Sequence, residues 1–196
     1  MKKSFLKREL LVILILIIWH LNVFSQKQTV RIETSKGLIV IDLYEKKAPL
    51  TVRNFLLYVD KVGEEGGSFY RTVTMENQAD KKVKIEVVQG GFELGNIDTS
   101  LIKPIPLERT NFTGIKHKNG TISMARDIPD SGTTEFFICI GDQPSLDFGG
   151  ARNPDGQGFA AFGKVKRGMK VVREIQNSPS KDQSLNSPIK IIRIYR

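Results

Sequence analysis

Two stretches, Gly120-Thr121-Ile122-Ser123-Met124-Ala125 and Glu135-Phe136-Phe137-Ile138-Cys139-Ile140, decide how the chain is read. Both read as short β-strands rich in apolar, β-branched and aromatic residues. Further strands appear on either side. Residues Thr29 to Thr34 alternate with period two, and Leu38 to Leu43 is a strand with both faces largely apolar. Ser35-Lys36-Gly37 between them predicts a tight hairpin turn. Ser68–Val73 and Val83–Gln89 read as strands on either side of a polar loop, Thr74–Lys82. Phe159–Val165 and Ile189–Tyr195 complete the set. Ala48–Val59 predicts a helix with proline near its start and Val52, Phe55, Leu56 and Val59 on one stripe. Met169–Gln176 predicts a short amphipathic helix. The stretches 96–119 and 141–158 read as long surface loops. About eight strands with two helices set apart, rather than alternating with them, predict a barrel or sandwich with helices at its ends.

Composition narrows the chemistry. The chain has 196 residues, enough for one domain and an appendage. Its net charge is +9, of which Lys2, Lys3, Lys7 and Arg8 against Glu9 supply +3. No Lys/Arg block interleaved with aromatics occurs, so a solvated basic surface is expected and no specific nucleic-acid partner. A single cysteine, Cys139, excludes an intramolecular disulfide and a multi-cysteine zinc site. Its apolar neighbours favour a core position. His20 and His117 have no ligand spacing, so no metal site is expected.

Residues 1–25 read as an address. A basic start is followed by an uninterrupted apolar run, Leu10 to Trp19, and by Ser25 before Gln26. This fits a secretory signal peptide cleaved after Ser25. The alternative is an uncleaved membrane anchor, for which Leu10–Phe24 is short. The domain, residues 28–196, is expected to work outside the cytoplasm, in a bacterial periplasm, with membrane contact only if the leader is retained.

Four segments, taken in order, resemble the cyclophilin family of peptidyl-prolyl cis-trans isomerases. They are Ala48-Pro49-Leu50-Thr51-Val52-Arg53-Asn54-Phe55; Phe69-Tyr70-Arg71 with Val88-Gln89-Gly90-Gly91; Gly120 to Ala125 with Glu135-Phe136-Phe137-Ile138; and Phe162-Gly163-Lys164-Val165 with Gly168-Met169 and Val171-Val172. The resemblance spans roughly Val30 to Tyr195. It implies an eight-stranded antiparallel β-barrel capped by two α-helices, a monomer without cofactor, and proline-containing polypeptides as partners.

The resemblance also implies site residues. Arg71 matches the catalytic arginine and Gln89 the glutamine of the Gln-Gly-Gly motif. Ala125 matches the alanine whose backbone helps hold substrate. Phe137 matches a wall of the proline pocket, and Leu146 the leucine of a Trp-Leu-Asp motif. Val87, Arg126 and Phe159 stand at pocket positions where the family usually has methionine, asparagine and histidine. Ser145 stands where tryptophan is usual, and Glu86 where a pocket phenylalanine is. The loop between Arg71 and Gln89 is about ten residues longer than in short members, as surface loops tolerate.

Taken singly, these residues have blander readings: a surface arginine, a glycine turn, core phenylalanines. Their joint order favours an isomerase that assists folding of exported proteins, with Arg71 stabilising the twisted amide. The alternative is a catalytically weak module that binds proline peptides. A hydrolase built on Ser123 and His117 is disfavoured, because no Gly-x-Ser-x-Gly elbow occurs.

Overall fold

The computed structural model describes residues 28–95 and 97–196; the segment 1–25, read above as an address, lies outside them. The chain forms β1 (Gln28–Thr34), β2 (Gly37–Leu43), α1 (Pro49–Val62), β3 (Gly67–Val73), β4 (Val87–Phe92), α2 (Thr110–Thr113), β5 (Thr121–Met124), β6 (Glu135–Cys139), β7 (Ala160–Arg167), α3 (Met169–Gln176), β8 (Ser180–Lys181) and β9 (Ser184–Tyr195). The strands follow the order β1-β2-β7-β5-β6-β4-β3-β9-β8, and β1 also pairs with β9. That last pairing closes eight antiparallel strands into a barrel, and the two-residue β8 hangs on β9 as a hairpin. Closure removes the unpaired edges that an open sheet of this length would expose.

Alternation fills the interior. Phe69, Val88, Phe136, Ile138, Ile122 and Phe162 point inward and are fully buried. Helix α1 closes one end. Proline at its first position needs no backbone donor there. No side chain of Ala48 caps it. The carboxylate of Glu108, far along the chain, accepts from Leu50 N at 3.1 Å, Thr51 N at 2.7 Å and Thr51 Oγ1 at 2.7 Å. A negative charge at that position also complements the helix dipole. Phe55 then projects into a ring cluster, 5.4 Å from Phe92, 5.6 Å from Phe136 and 5.2 Å from Phe162. Helix α3 buries Val172 and Ile175.

Three expectations need correction. The strand read at Val83–Gln89 instead runs Val87–Phe92. Ile85 cannot join the ladder because a side chain has taken its backbone: Gln78 Oε1 accepts from Ile85 N, and its Nε2 donates to Ile85 O at 2.8 Å. The closing strand begins at Ser184, not Ile189. Its partner register on β3 jumps from Phe69↔Ile189 to Arg71↔Ser184, and Pro188 sits within the bulge, where its missing donor is harmless. Finally, the loop read at 96–119 contains the short helix α2.

The ring cluster packs α1 against the barrel core through Phe55. Truncation by Phe55→Ala is expected to cost about 3–5 kcal/mol. Urea unfolding should show a lower midpoint at an unchanged slope.

Candidate functional site

The site is written across the barrel wall. Arg71 pairs with Gln89, Gln89 with Phe137, and Phe137 with Ser123, in one transverse row over β3, β4, β6 and β5. A bulge makes this possible. Phe69 is buried in the core, so strict alternation would turn Arg71 inward as well. The register shift between Phe69 and Arg71 leaves Tyr70 unpaired. Tyr70 and Arg71 therefore both lie on the outer face, and the following Thr72 returns to the interior.

On that outer face lies a second apolar cluster, separate from the main core. It comprises Val73, Ile85, Val87, Phe137, Cys139 and Leu146, with Ala125 and Phe159 packed against it. It floors a groove of about 400 Å³. All eight residues singled out from the sequence line this groove: Arg71, Gln89, Val87, Ala125, Arg126, Phe137, Leu146 and Phe159. Phe137 and Phe159 meet edge to face at 5.3 Å. Phe159 N donates to Leu146 O at 3.0 Å, which fixes the two walls against each other.

Arg71 is held on both sides. Nη1 donates to Gln89 Oε1 at 2.8 Å, while Nε and Nη2 both donate to Gln183 Oε1. Gln89 Nε2 donates to Tyr70 Oη and to Glu135 Oε2, each at 2.8 Å. Tyr70 also donates to Glu135. Burial, with help from the Glu135 carboxylate, pushes the Tyr70 phenol well above its ordinary range. It stays protonated and can keep donating.

Arg126 is held by the loop beside it. Its side chain is 2% exposed, so it offers little to a ligand. The guanidinium forms a fork with Asp155 at 2.8 and 2.9 Å, donates to Gly158 O at 2.8 Å, and lies 5.1 Å over the Phe159 ring. It lines the groove as a braced part of the wall, its donors already engaged. Glu86 also turns away and accepts from Gln176, while Ile85 lines the groove. Sequence reading missed Gln183, Glu135, Ile85 and Arg152.

Beneath Phe137 lies an array that resembles a hydrolytic triad. His117 Nδ1 donates to Asp147 Oδ1 at 2.8 Å, and Ser123 Oγ lies 3.0 Å from His117 Nε2. Ser123 has no exposed surface, so no substrate carbonyl can reach its oxygen. The array braces the wall instead: the imidazole stacks on Phe137 at 6.0 Å and ties Asp147, next to Leu146, to β5. Burial depresses the His117 imidazole, against the opposing pull of Asp147, so the ring is neutral at pH 7. Burial also pushes the Asp147 carboxyl up, but hydrogen bonds from His117 outweigh it and hold it low. Cys139 is fully buried in the groove floor, and burial pushes its thiol far above the ordinary range. Among the described residues no group of His, Cys, Asp and Glu is placed to hold a metal ion.

A family profile described as cyclophilin type peptidyl-prolyl cis-trans isomerase/CLD matches residues 29–196. The chain belongs to that family. Among relatives, it is 34% identical over 171 residues to a peptidyl-prolyl cis-trans isomerase of Acinetobacter baylyi, covering 84% of this chain and 83% of that one. It is 35% identical over 148 residues to peptidyl-prolyl cis-trans isomerase B of Escherichia coli, covering 75% and 83%. A Cryptosporidium parvum cyclophilin crystallised in the presence of the dipeptide Ala-Pro superposes with a TM-score of 0.65 at 21% identity, covering 86% of this chain and 98% of that one. The eight-stranded cyclophilin barrel expected from the sequence is thus the fold observed.

The buried imidazole makes stability sensitive to acid. The unfolded ring, with its ordinary pKa of 6.5, takes up a proton at a higher pH than the folded ring. Stability is therefore full above 6.5 and falls as the pH drops below it. Asp147, held below 3.8, adds a second loss only at lower pH. The urea midpoint should fall between pH 7 and pH 5 by more in the wild type than in His117→Asn. Equal pH dependence of the two would remove His117 from the account.

Proposed function

We propose that this cyclophilin accelerates X–Pro rotation in exported polypeptides, and that Arg71 stabilises the twisted amide. Membership of the family makes the chain a peptidyl-prolyl cis-trans isomerase. The observation that supports the finer reading is a single juxtaposition. A guanidinium clamped from both sides stands at the rim of an apolar recess formed by Val87, Phe137, Leu146 and Phe159.

The chemistry asks for this pairing. Rotation about a peptide bond faces a barrier of about 18–20 kcal/mol, because conjugation gives the C–N bond double-bond character. No bond breaks, so the task is to bind the twisted form better than either planar form. The recess excludes water and holds the pyrrolidine ring. As the amide twists, the nitrogen lone pair localises and becomes an acceptor. A fixed cationic donor favours that state over the planar ones, and one whose orientation is already set needs no reorganisation. Gln89 and Gln183 supply that orientation. A preference of about 3–5 kcal/mol for the twisted form gives about 10²–10⁴ in rate.

Export rests on the leader. Its basic start, apolar run and Ser25-Gln26 junction fit a cleaved signal. The barrel would then meet polypeptides emerging unfolded, whose proline isomerisation takes tens of seconds unaided. N-terminal mass analysis of protein recovered from the periplasm should give a chain beginning near Gln26. A retained leader would make the protein membrane-anchored.

Exchange spectroscopy on a neutral proline peptide tests the mechanism. Arg71→Ala is expected to lower kcat/KM about 10²–10³-fold. Arg71→Lys should lose most of that too, since a single ammonium cannot span Gln89 and Gln183 as a planar fork does. Gln183→Ala should fall between these and the wild type. A wild-type chain that binds the peptide without accelerating its exchange would reduce the groove to a binding module.

A further inference from the structure

One guanidinium in the groove has no part in this mechanism. The loop between Leu146 and Phe159 folds back over Ser145, and Arg152 N donates to Ser145 O at 3.2 Å. The approach is close: a Cβ on Gly150 would lie 2.3 Å from Ser145 O. This brings the Arg152 side chain to the groove lining, on the same surface as Arg71. Its Nη1 is anchored on the opposite loop, donating to Gln78 Oε1 at 2.9 Å and Val83 O at 2.7 Å. Gln78 is itself 2% exposed and bound to Thr74 O and Ile85 O. Two surface loops thus meet at this arginine.

Nothing anionic neutralises it. Among the described residues neither Arg71 nor Arg152 makes an ion pair, whereas Arg126 is paired with Asp155. Burial and the positive charge of Arg71 both disfavour the charged state of Arg152. Two carboxylates, Asp127 and Glu135, do line the groove. Glu135 is engaged by Tyr70 and Gln89 on the β6 side. Arg152 has its Nε and Nη2 donors left over, in a site partly withdrawn from water, where a charge-assisted hydrogen bond counts for more than at an open surface.

We propose that Arg152 is a specificity residue that selects substrates with an acidic side chain, Asp or Glu, adjacent to the proline. The proposal rests on the prolyl-groove reading above, and its test separates the two.

The probes are acetylated, amidated pentapeptides Ala-Xaa-Pro-Ala-Phe and Ala-Ala-Pro-Xaa-Phe, with Xaa as Glu, Gln or Lys. Exchange spectroscopy on the full chain gives kcat/KM for each. The wild type should favour Glu over Lys by about 5–20-fold in one of the two series at low salt, with Gln between. Raising NaCl from 0.05 to 0.5 M should compress that ratio. Arg152→Gln should bring it within twofold of unity, read as a ratio of Glu to Lys peptides within the variant so that any change common to all peptides cancels. Arg152→Lys should keep its sign and Arg152→Glu should reverse it. A wild-type ratio near one in both series overturns the proposal, as does a ratio unmoved by salt or by Arg152→Gln. The salt series needs no variant, so it decides even if a substitution unfolds the loop. Failure to accelerate any peptide would count against the isomerase reading alone. Chemical-shift titration then decides on selectivity: tighter binding of the Glu peptides supports it, and equal binding of Glu and Lys peptides overturns it.

Discussion

The site depends on the extra residue at Tyr70. A strand has a side-chain period of two, and a slip of one residue exchanges its faces. On β3 the bulge performs that exchange locally: Phe69 and Thr72 keep the interior, and Arg71 is delivered outside. Without it the guanidinium would face a ring cluster with no partner, at the high cost of a buried unpaired charge. With it, Arg71 joins Gln89 and Phe137 in a row that needs only regular antiparallel pairing to stay aligned. The companion irregularity on β9, at residues 185–188, lets the neighbouring strand follow the bend and brings Gln183 to Arg71. One local departure from regularity therefore sets the position of the charge and of the group that orients it.

The barrel supports this outer site through two separate apolar bodies. The inner core is sealed by α1, whose N-terminus is capped by Glu108 from the long connection before α2. The outer cluster is smaller and is finished by polar braces. Below Phe137, His117 links β5 to the Leu146-Asp147 turn. Beside Phe159, Arg126 ties β5 to the loop at Asp155. Each brace fixes one wall of the recess from behind. A charged or ionisable side chain used this way is worth its desolvation only because its donors are met, three of them in the case of Arg126.

Much of this architecture was legible in the sequence, for a definite reason. The strands β1, β2, β5, β6 and β7 and the helices α1 and α3 bury one face against a continuous core, so their periodicity is written in residue type. The groove residues were legible through motif order, which brought Arg71, Gln89, Ala125, Phe137 and Leu146 into view together. The edges of β4 and β9 were not legible. A buried amide at Gln78 replaces the ladder at Ile85, and a proline inside β9 reads as a stop. The polar frame was hidden for the same reason: Gln183 meets Arg71 across 112 positions and Arg152 meets Gln78 across 74. Hydrogen bonds between side chains at such separations leave no period and no composition bias behind.

Two loops carry the chain beyond the barrel. Residues 74–86 follow Val73, at the end of β3, and residues 147–158 follow Leu146, so each starts at the groove floor. Their chief contact with each other is polar, through Gln78 and Arg152. A loop that only connected two strands would leave its tip solvated and its side chains free. Here Gln78 is buried and Asn77 is bound to Thr72 O and Thr74 N, so the first loop is ordered from within. It also reaches Arg71, since Gln183 donates to Asn77 O while accepting from Arg71. The same loop thus anchors both guanidinium groups of the groove, one directly through Gln78 and one through Gln183. A shift of this loop would therefore move the two guanidinium groups of the groove together.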